Sequence, residues 1–95
     1  MRSTKAPRIE KEVTIVNELG IHARPAAMLV KLANKFMSEI MVEKGSEQVN
    51  GKSIMGIMML AAGKGSRIKI SAVGEDAPAA VRDIEELIQN KFGEE

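Results

Sequence analysis

The stretch from Gly20 to Phe36 reads Gly-Ile-His-Ala-Arg-Pro-Ala-Ala-Met-Leu-Val-Lys-Leu-Ala-Asn-Lys-Phe. Its apolar residues recur at helical spacing, while its lysines and its asparagine fall on the opposite side. Pro25 lies in the first turn, where a missing N–H is tolerated. The pattern predicts an amphipathic helix from about Ala23 to Phe36, preceded by a loop that begins at Gly20.

On either side of this helix the chain alternates between strand and helix patterns. Alternating, often β-branched residues predict four strands, and Ser53 and Asp76 are suited to cap two further helices. The predicted strands are 12–16, 38–44, 47–50 and 67–73, and the further helices are 54–60 and a last helix that Gly93 ends. The order β-α-β-β-α-β-α indicates an α+β fold, a two-layer open-faced β-sandwich with a four-stranded antiparallel sheet and three helices on one face.

Length and composition exclude several classes of protein. With 95 residues the chain forms one domain, and we expect residues 1–11 to be a flexible tail before a single domain at 12–95. The absence of Cys excludes disulfides, and a single His excludes a multi-histidine metal site, so no metal is expected. A net charge of +1 and no Trp or Tyr do not favour nucleic-acid binding. No apolar run is long enough to insert in a membrane, so a cytoplasmic protein is expected. No second large apolar stripe is left unassigned, so we expect a monomer.

The residues around His22 point to anion chemistry. The first N–H groups of a helix lack partners, and the helix dipole makes that end positive, so an anion is stabilised there. Arg24 adds a planar fork of donors that suits phosphate oxygens. The same positive field favours a neutral, nucleophilic ring. His22 is therefore a candidate phosphoryl acceptor, although a plain surface or capping role for it stays open.

Several segments together resemble one known family. Gly20 to Ala27, Gly-Ile-His-Ala-Arg-Pro-Ala-Ala, is similar to the active-site motif of the HPr family, the histidine-containing phosphocarriers of the bacterial phosphoenolpyruvate-dependent sugar phosphotransferase system. Asn50 to Met58, Asn-Gly-Lys-Ser-Ile-Met-Gly-Ile-Met, is similar to that family's regulatory-serine segment. The resemblance covers about residues 12–92.

The resemblance implies a phosphoryl relay rather than an enzyme with its own turnover. His22 would accept a phosphoryl group on Nδ1 from phosphorylated enzyme I and pass it to the IIA domains of sugar permeases. Arg24 would stabilise the charge in transit, together with the backbone N–H groups of Ala23 and Arg24. No cofactor is implied.

The second segment implies regulation and docking. Ser53 would match the serine that an HPr kinase/phosphorylase modifies, although a cap role alone stays open. At helical spacing Ile57 faces the core, which leaves Ile54, Met55 and Met58 on the outer side. The resemblance implies that these three side chains form a docking patch for enzyme I and the IIA domains.

Two other functions stay open. One is a nitrogen-related or regulatory HPr homologue that controls transcription or kinases. The other is a small anion- or nucleic-acid-binding module without covalent chemistry, against which the near-zero net charge and the missing aromatic residues count.

Overall fold

The fold, taken from a computed structural model that describes residues 6–94, consists of a four-stranded sheet and three α-helices. The α+β class and the order β-α-β-β-α-β-α predicted from the sequence are confirmed. The strands are β1 (Arg8–Thr14), β2 (Glu39–Lys44), β3 (Glu47–Asn50) and β4 (Arg67–Val73). The helices are α1 (Ala23–Ala33), α2 (Ile54–Met59) and α3 (Ala77–Gln89), and a short turn follows at Lys91–Gly93.

The sheet has the strand order β1-β4-β2-β3, and every neighbouring pair is antiparallel. Because β1 and β2 both run antiparallel to β4, they are parallel to each other and need a crossover connection, which α1 provides. The β2–β3 pair is a hairpin that closes through Gly45 and Ser46. The last strand along the chain therefore lies in the interior of the sheet, next to the first.

The core lies between the sheet and the helices. Inward-facing residues of β4 and β2 are fully buried, among them Ile68, Ile70 and Val42. α3 packs against β1 and β4, and α1 packs against both α2 and α3. Each large aliphatic side chain buried in this way stabilises the fold by roughly 1.5–3 kcal/mol. This layer holds both ends of α1 in place, including the end that carries His22.

The prediction of a flexible tail at residues 1–11 is wrong for residues 8–11. β1 begins at Arg8, and residues 8–11 pair with residues 70–73 of β4. Three of these four residues are charged and only Ile9 is apolar, so no hydrophobic pattern marks them as a strand. Backbone hydrogen bonds to β4 hold them in the sheet, together with an ion pair between Glu10 and Lys69. Pro7, just before the strand, accepts a hydrogen bond from the N–H of Gly74 at 2.9 Å. Residues 1–5 of the predicted tail lie outside the described residues.

The ends of two helices also differ from the sequence-based expectation. α1 ends at Ala33 rather than Phe36, because the following residues close tighter turns: Phe36 N–H donates to the Ala33 carbonyl at 3.1 Å. Asp76 is the N-cap residue of α3, but its side chain makes no cap hydrogen bond. Its carboxylate instead accepts hydrogen bonds from the N–H groups of Met37 and Ser38, at 2.9 and 3.0 Å, and from the Ser38 hydroxyl. Asp76 thus ties the α1–β2 connection to the start of α3.

Candidate functional site

The loop before α1 is shaped by a close backbone approach at Gly20. Gly20 has a φ of +70°, and a Cβ at this position would lie 2.6 Å from the carbonyl oxygen of Ala62. The next residue, Ile21, donates its N–H to that same oxygen at 2.9 Å. Only glycine fits both the conformation and the space. The contact holds the loop that carries His22 against the segment that follows α2.

His22 is the N-cap residue of α1. Its backbone is extended, with φ −94° and ψ −163°, and its side chain forms no cap hydrogen bond. The His22 carbonyl accepts from the N–H of Ala26 at 2.9 Å, and Pro25 has no N–H to offer. Among residues 6–94, the N–H groups of Ala23 and Arg24 have no acceptor. Two free donors and the positive end of the helix therefore lie next to the imidazole.

A carboxylate contacts the imidazole from the far end of the chain. Nε2 of His22 lies 2.9 Å from Oε2 of Glu94, and the His22 side chain is 40% exposed. The other oxygen of Glu94 accepts a hydrogen bond from the side-chain amide of Asn17 at 2.9 Å, and the same amide donates to the Gly20 carbonyl at 2.8 Å. Hydrogen bonds from Asn17 and then from His22 hold the pKa of the Glu94 carboxyl below its usual range. At neutral pH the group facing Nε2 is therefore a carboxylate.

An open cleft of about 510 Å³ adjoins this contact. Arg24, Lys64 and Lys91 line it, together with the carboxylates of Glu18 and Glu94. Lys64 is paired with Glu18 at 3.1 Å, whereas the Arg24 guanidinium has no ion-pair partner among the described residues. Arg24 is exposed, so its donors can reach an anion bound at the start of α1.

The segment that carries Ser53 forms a separate part of the surface. Ser53 is the N-cap residue of α2, as the sequence predicted, and its hydroxyl accepts from the N–H of Gly56 at 3.0 Å. Ile57 is fully buried, whereas Met55 is 71% exposed. The outer side of α2 is formed by Ile54, Met55 and Met58, with Met59 as an exposed neighbour that the sequence analysis did not include. We call Ile54, Met55 and Met58 the α2 patch.

The fold connects the two predicted regions. His22 and Arg24 both lie at the start of α1, and α2 packs beside that helix. The hydrogen bond between Ile21 and Ala62 joins the His22 loop to the chain just after α2.

Sequence reasoning missed two residues of the site, Asn17 and Glu94. For Asn17 there was a weak signal, since an asparagine before a glycine turn often bonds to the backbone, but nothing local relates Glu94 to His22.

Residues 6–94 contain no group of three or more His, Asp or Glu side chains placed to hold a metal ion. None of the helices in this range has the length and apolarity needed to cross a bilayer.

Comparison with known proteins identifies the family. The family model described as "PTS HPr component phosphorylation site" matches residues 9–90. The chain is 48% identical to phosphocarrier protein HPr of Treponema pallidum over 87 residues, which cover 92% of this chain and 99% of that protein.

Two solved structures from Thermoanaerobacter tengcongensis have the same fold. The structure of HPr-C-His superimposes with a TM-score of 0.88 at 49% identity and covers 92% of this chain and 98% of that one. The structure of an HPr dimer superimposes with a TM-score of 0.74 at 45% identity and covers 99% and 100% of the two chains.

Fold, site and comparisons define a class of protein, the small phosphocarriers of the phosphotransferase system. The chain belongs to the HPr family.

Proposed function

We propose that this chain accepts a phosphoryl group on Nδ1 of His22 from phosphorylated enzyme I and passes it to the IIA domains of sugar permeases. The observation that carries the proposal is the position of His22, whose ring lies at the uncapped start of α1 beside two free N–H groups and Arg24. A dianionic group is stabilised at such a position by the N–H donors and by the helix dipole. No metal or nucleotide is needed on the carrier for this transfer.

Transfer needs positioning and charge stabilisation more than covalent chemistry from the protein. The Nδ1 lone pair attacks phosphorus and forms a P–N bond, while the bond from phosphorus to the donor atom breaks and its electron pair leaves with the donor. Negative charge on the three phosphoryl oxygens is then met by the N–H groups of Ala23 and Arg24 and by the Arg24 guanidinium. In the second transfer a nucleophilic atom of the IIA domain forms a bond to phosphorus, while the P–N bond breaks and its electron pair returns to Nδ1.

Intact mass tests the proposal directly. After incubation with phosphoenolpyruvate and a bacterial enzyme I, the protein should gain one phosphoryl group that brief acid treatment removes. Since the chain has a single His, this result assigns the modification to His22. His22→Ala should abolish the gain without loss of the fold, and retained labelling in that variant would rule out the assignment.

A control variant distinguishes the directed hydrogen bonds of Arg24 from the general effect of its positive charge. Arg24→Ala should slow transfer by about 10-fold or more, since donors aimed at developing charge contribute on this scale. Lys64→Ala is the matched control, because Lys64 lines the same cleft and carries the same charge but pairs with Glu18. Equal rates in the two variants would show that Arg24 acts only through the overall field.

We propose in addition that an HPr kinase/phosphorylase regulates the protein at Ser53. The Ser53 hydroxyl lies at the start of α2, where a phosphate is tolerated by the helix dipole, so the fold should survive the modification. The added charge lies beside Ile54 and Met55 and would repel an acidic partner. Ser53→Asp should weaken enzyme I binding, measured by calorimetry, whereas unchanged affinity would remove this role.

The α2 patch is proposed as the surface on which enzyme I and the IIA domains dock. Exposed apolar side chains beside polar surroundings are typical of interaction sites, and methionine adapts to several partners. Met55→Ser should weaken binding to enzyme I. Met37→Ser is the matched control, because Met37 is 90% exposed but follows the opposite end of α1 from His22. Equal effects of the two substitutions would contradict the proposal.

The last part of the proposal concerns the oligomeric state and the location of the protein. We propose that the protein acts as a monomer in the cytoplasm, where phosphoenolpyruvate is available to enzyme I. Light scattering at several concentrations measures the oligomeric state, and a mass of two chains throughout would contradict the monomer.

A further inference from the structure

The residues after α3 turn back toward His22 in an unusual conformation. Lys91, Phe92 and Gly93 have φ values of +57°, +54° and +74°, which place all three in the left-handed region. Lys91 and Phe92 are not glycine, so this conformation costs energy. The Phe92 side chain is only 1% exposed, and its burial in the core compensates for the strain. The turn brings the Glu94 carboxylate to the imidazole.

Asn17 holds this carboxylate from the other side. Asn17 is almost completely buried, and its Nδ2 donates both of its hydrogens, to the Gly20 carbonyl and to Oε1 of Glu94. Both partners are acceptors, so the opposite orientation of the amide would bring its oxygen against two oxygens. Among the described residues, Oδ1 of Asn17 has no hydrogen-bond partner. The buried amide is therefore placed for its two donated bonds, which link the His22 loop to Glu94.

We propose that Glu94, oriented by Asn17, is a positioning residue that holds the His22 ring in the tautomer with its proton on Nε2 and thereby keeps the Nδ1 lone pair free for phosphorus. This proposal rests on the proposed function. Its geometric basis is the distance of 2.9 Å from Nε2 to Oε2 of Glu94. An ionised carboxylate only accepts hydrogen bonds, so at this distance the proton of a neutral ring lies on Nε2.

The same contact assists the transfer itself. When Nδ1 forms its bond to phosphorus, the ring gains positive charge while the Nε2 proton stays in place. The Glu94 carboxylate lies beside that charge and stabilises it. In the free protein it sets the tautomer, and during transfer it supports the imidazolium, as a carboxylate behind a histidine does at other sites.

Glu94→Gln is the sharpest test, because Asn17 dictates how the introduced amide must lie. The donors of Asn17 select the carbonyl oxygen of the new side chain, so its NH₂ group turns toward Nε2 of His22. Nε2 then becomes the acceptor, and the ring proton moves to Nδ1. We expect two-bond ¹H–¹⁵N correlation spectra of the ring to change from the Nε2–H to the Nδ1–H pattern. Phosphoryl gain from phosphoenolpyruvate and enzyme I should slow by about 10-fold or more.

Two further variants test whether a slower transfer comes from the changed tautomer rather than from a lost charge or a disturbed structure. Glu18→Gln removes the same charge in the same cleft without contacting His22, and it should leave both the spectrum and the rate unchanged. Glu94→Ala removes more of the side chain but offers no donor to Nε2, so it should slow transfer less than Glu94→Gln. A purely structural role would give the reverse order and would overturn the proposal.

The spectra also distinguish this proposal from the phosphocarrier proposal, since they need no phosphoryl donor. If the Nε2–H pattern persists in Glu94→Gln, the tautomer assignment is overturned even where the wild type is labelled normally. If the wild type takes up no phosphoryl group, the proposed function fails, while the ring spectra still decide whether Glu94 sets the tautomer.

Discussion

Gly20→Ala probes the close approach that shapes the loop before His22. A Cβ at Gly20 would lie 2.6 Å from the Ala62 carbonyl oxygen and 2.7 Å from the Cα of Gly63. Both are backbone atoms, so two chain segments must separate to admit a methyl group. The separation weakens the hydrogen bond from Ile21 to Ala62. We therefore expect a loss of stability larger than the conformation of Gly20 alone would cause.

A matched glycine makes the magnitude measurable. Gly45 has a φ of +61°, close to the +70° of Gly20, but nothing lies within 4 Å of its added Cβ. Each alanine variant adopts a left-handed conformation at a cost of about 1–2 kcal/mol. Gly20→Ala adds about 1–3 kcal/mol for overpacking and about 0.5–1.5 kcal/mol for the weakened hydrogen bond. The expected excess over Gly45→Ala is thus about 1.5–4.5 kcal/mol.

Urea denaturation followed by circular dichroism measures this difference. The total cost of Gly20→Ala, about 2.5–6.5 kcal/mol, lies for the most part below the free energy of unfolding of a small domain, about 5–15 kcal/mol. We therefore expect a folded variant with a lower midpoint and an unchanged slope. Transfer to His22 should also slow, because the loop that positions its ring has moved. Equal midpoints for Gly20→Ala and Gly45→Ala would refute the steric argument, since the two variants would then differ in nothing that affects stability.

Three further predictions concern the rest of the fold. Hydrogen bonds from the Ser38 hydroxyl and from the backbone N–H groups of Met37 and Ser38 lower the pKa of Asp76. Its contribution to stability is therefore present above the ordinary carboxyl pKa of about 3.9 and is lost as the pH falls from there through the lowered pKa. Asp76→Asn should remove this part of the acid dependence in urea titrations, and an unchanged dependence on acid pH would contradict the role. Ile57→Ala should cost about 2–5 kcal/mol in urea denaturation and Met55→Ala less than about 0.5, because only the first is buried, and similar losses would count against this packing. Phe92→Ala should lower the free energy of unfolding by about 3–5 kcal/mol and release Glu94 from His22, and a retained ring spectrum would show that Phe92 does not anchor the turn.

The secondary structure could be predicted wherever its cause is local. The β4 strand, Arg67–Val73, was predicted with its observed bounds because its apolar and polar residues alternate between two faces. Ser53 was predicted as an N-cap because a hydroxyl before a helix bonds to the third N–H within it. Residues 8–11 were missed because they are strand only through β4, whose residues 70–73 lie about 60 positions along the chain.

In the candidate site, too, features with a local cause could be predicted from the sequence, and features that depend on distant residues could not. His22 and Arg24 are close in sequence and precede a recognisable helix, so their neighbourhood was predictable from the motif alone. Asp76 was predicted to cap α3 because its position suits a cap, yet its carboxylate bonds to Met37 and Ser38, 39 and 38 positions away. The local sequence indicates that a polar side chain such as Asp76 needs a hydrogen-bond partner. Which residue becomes that partner depends on how distant segments pack together.

By itself, the sequence determined the order of elements, the single histidine at a helix start and the outward-facing methionines of α2, because each depends on neighbours within about one helical turn or one strand. Only the tertiary structure decided the strand order β1-β4-β2-β3 and the contact of Glu94 with His22. These two residues are 72 positions apart in the sequence. The burial of Phe92 and the hydrogen bond from the Asn17 amide to Glu94 bring them together. Such a contact exists only when the core is packed, since only the packed core offsets the entropy of bringing distant segments together.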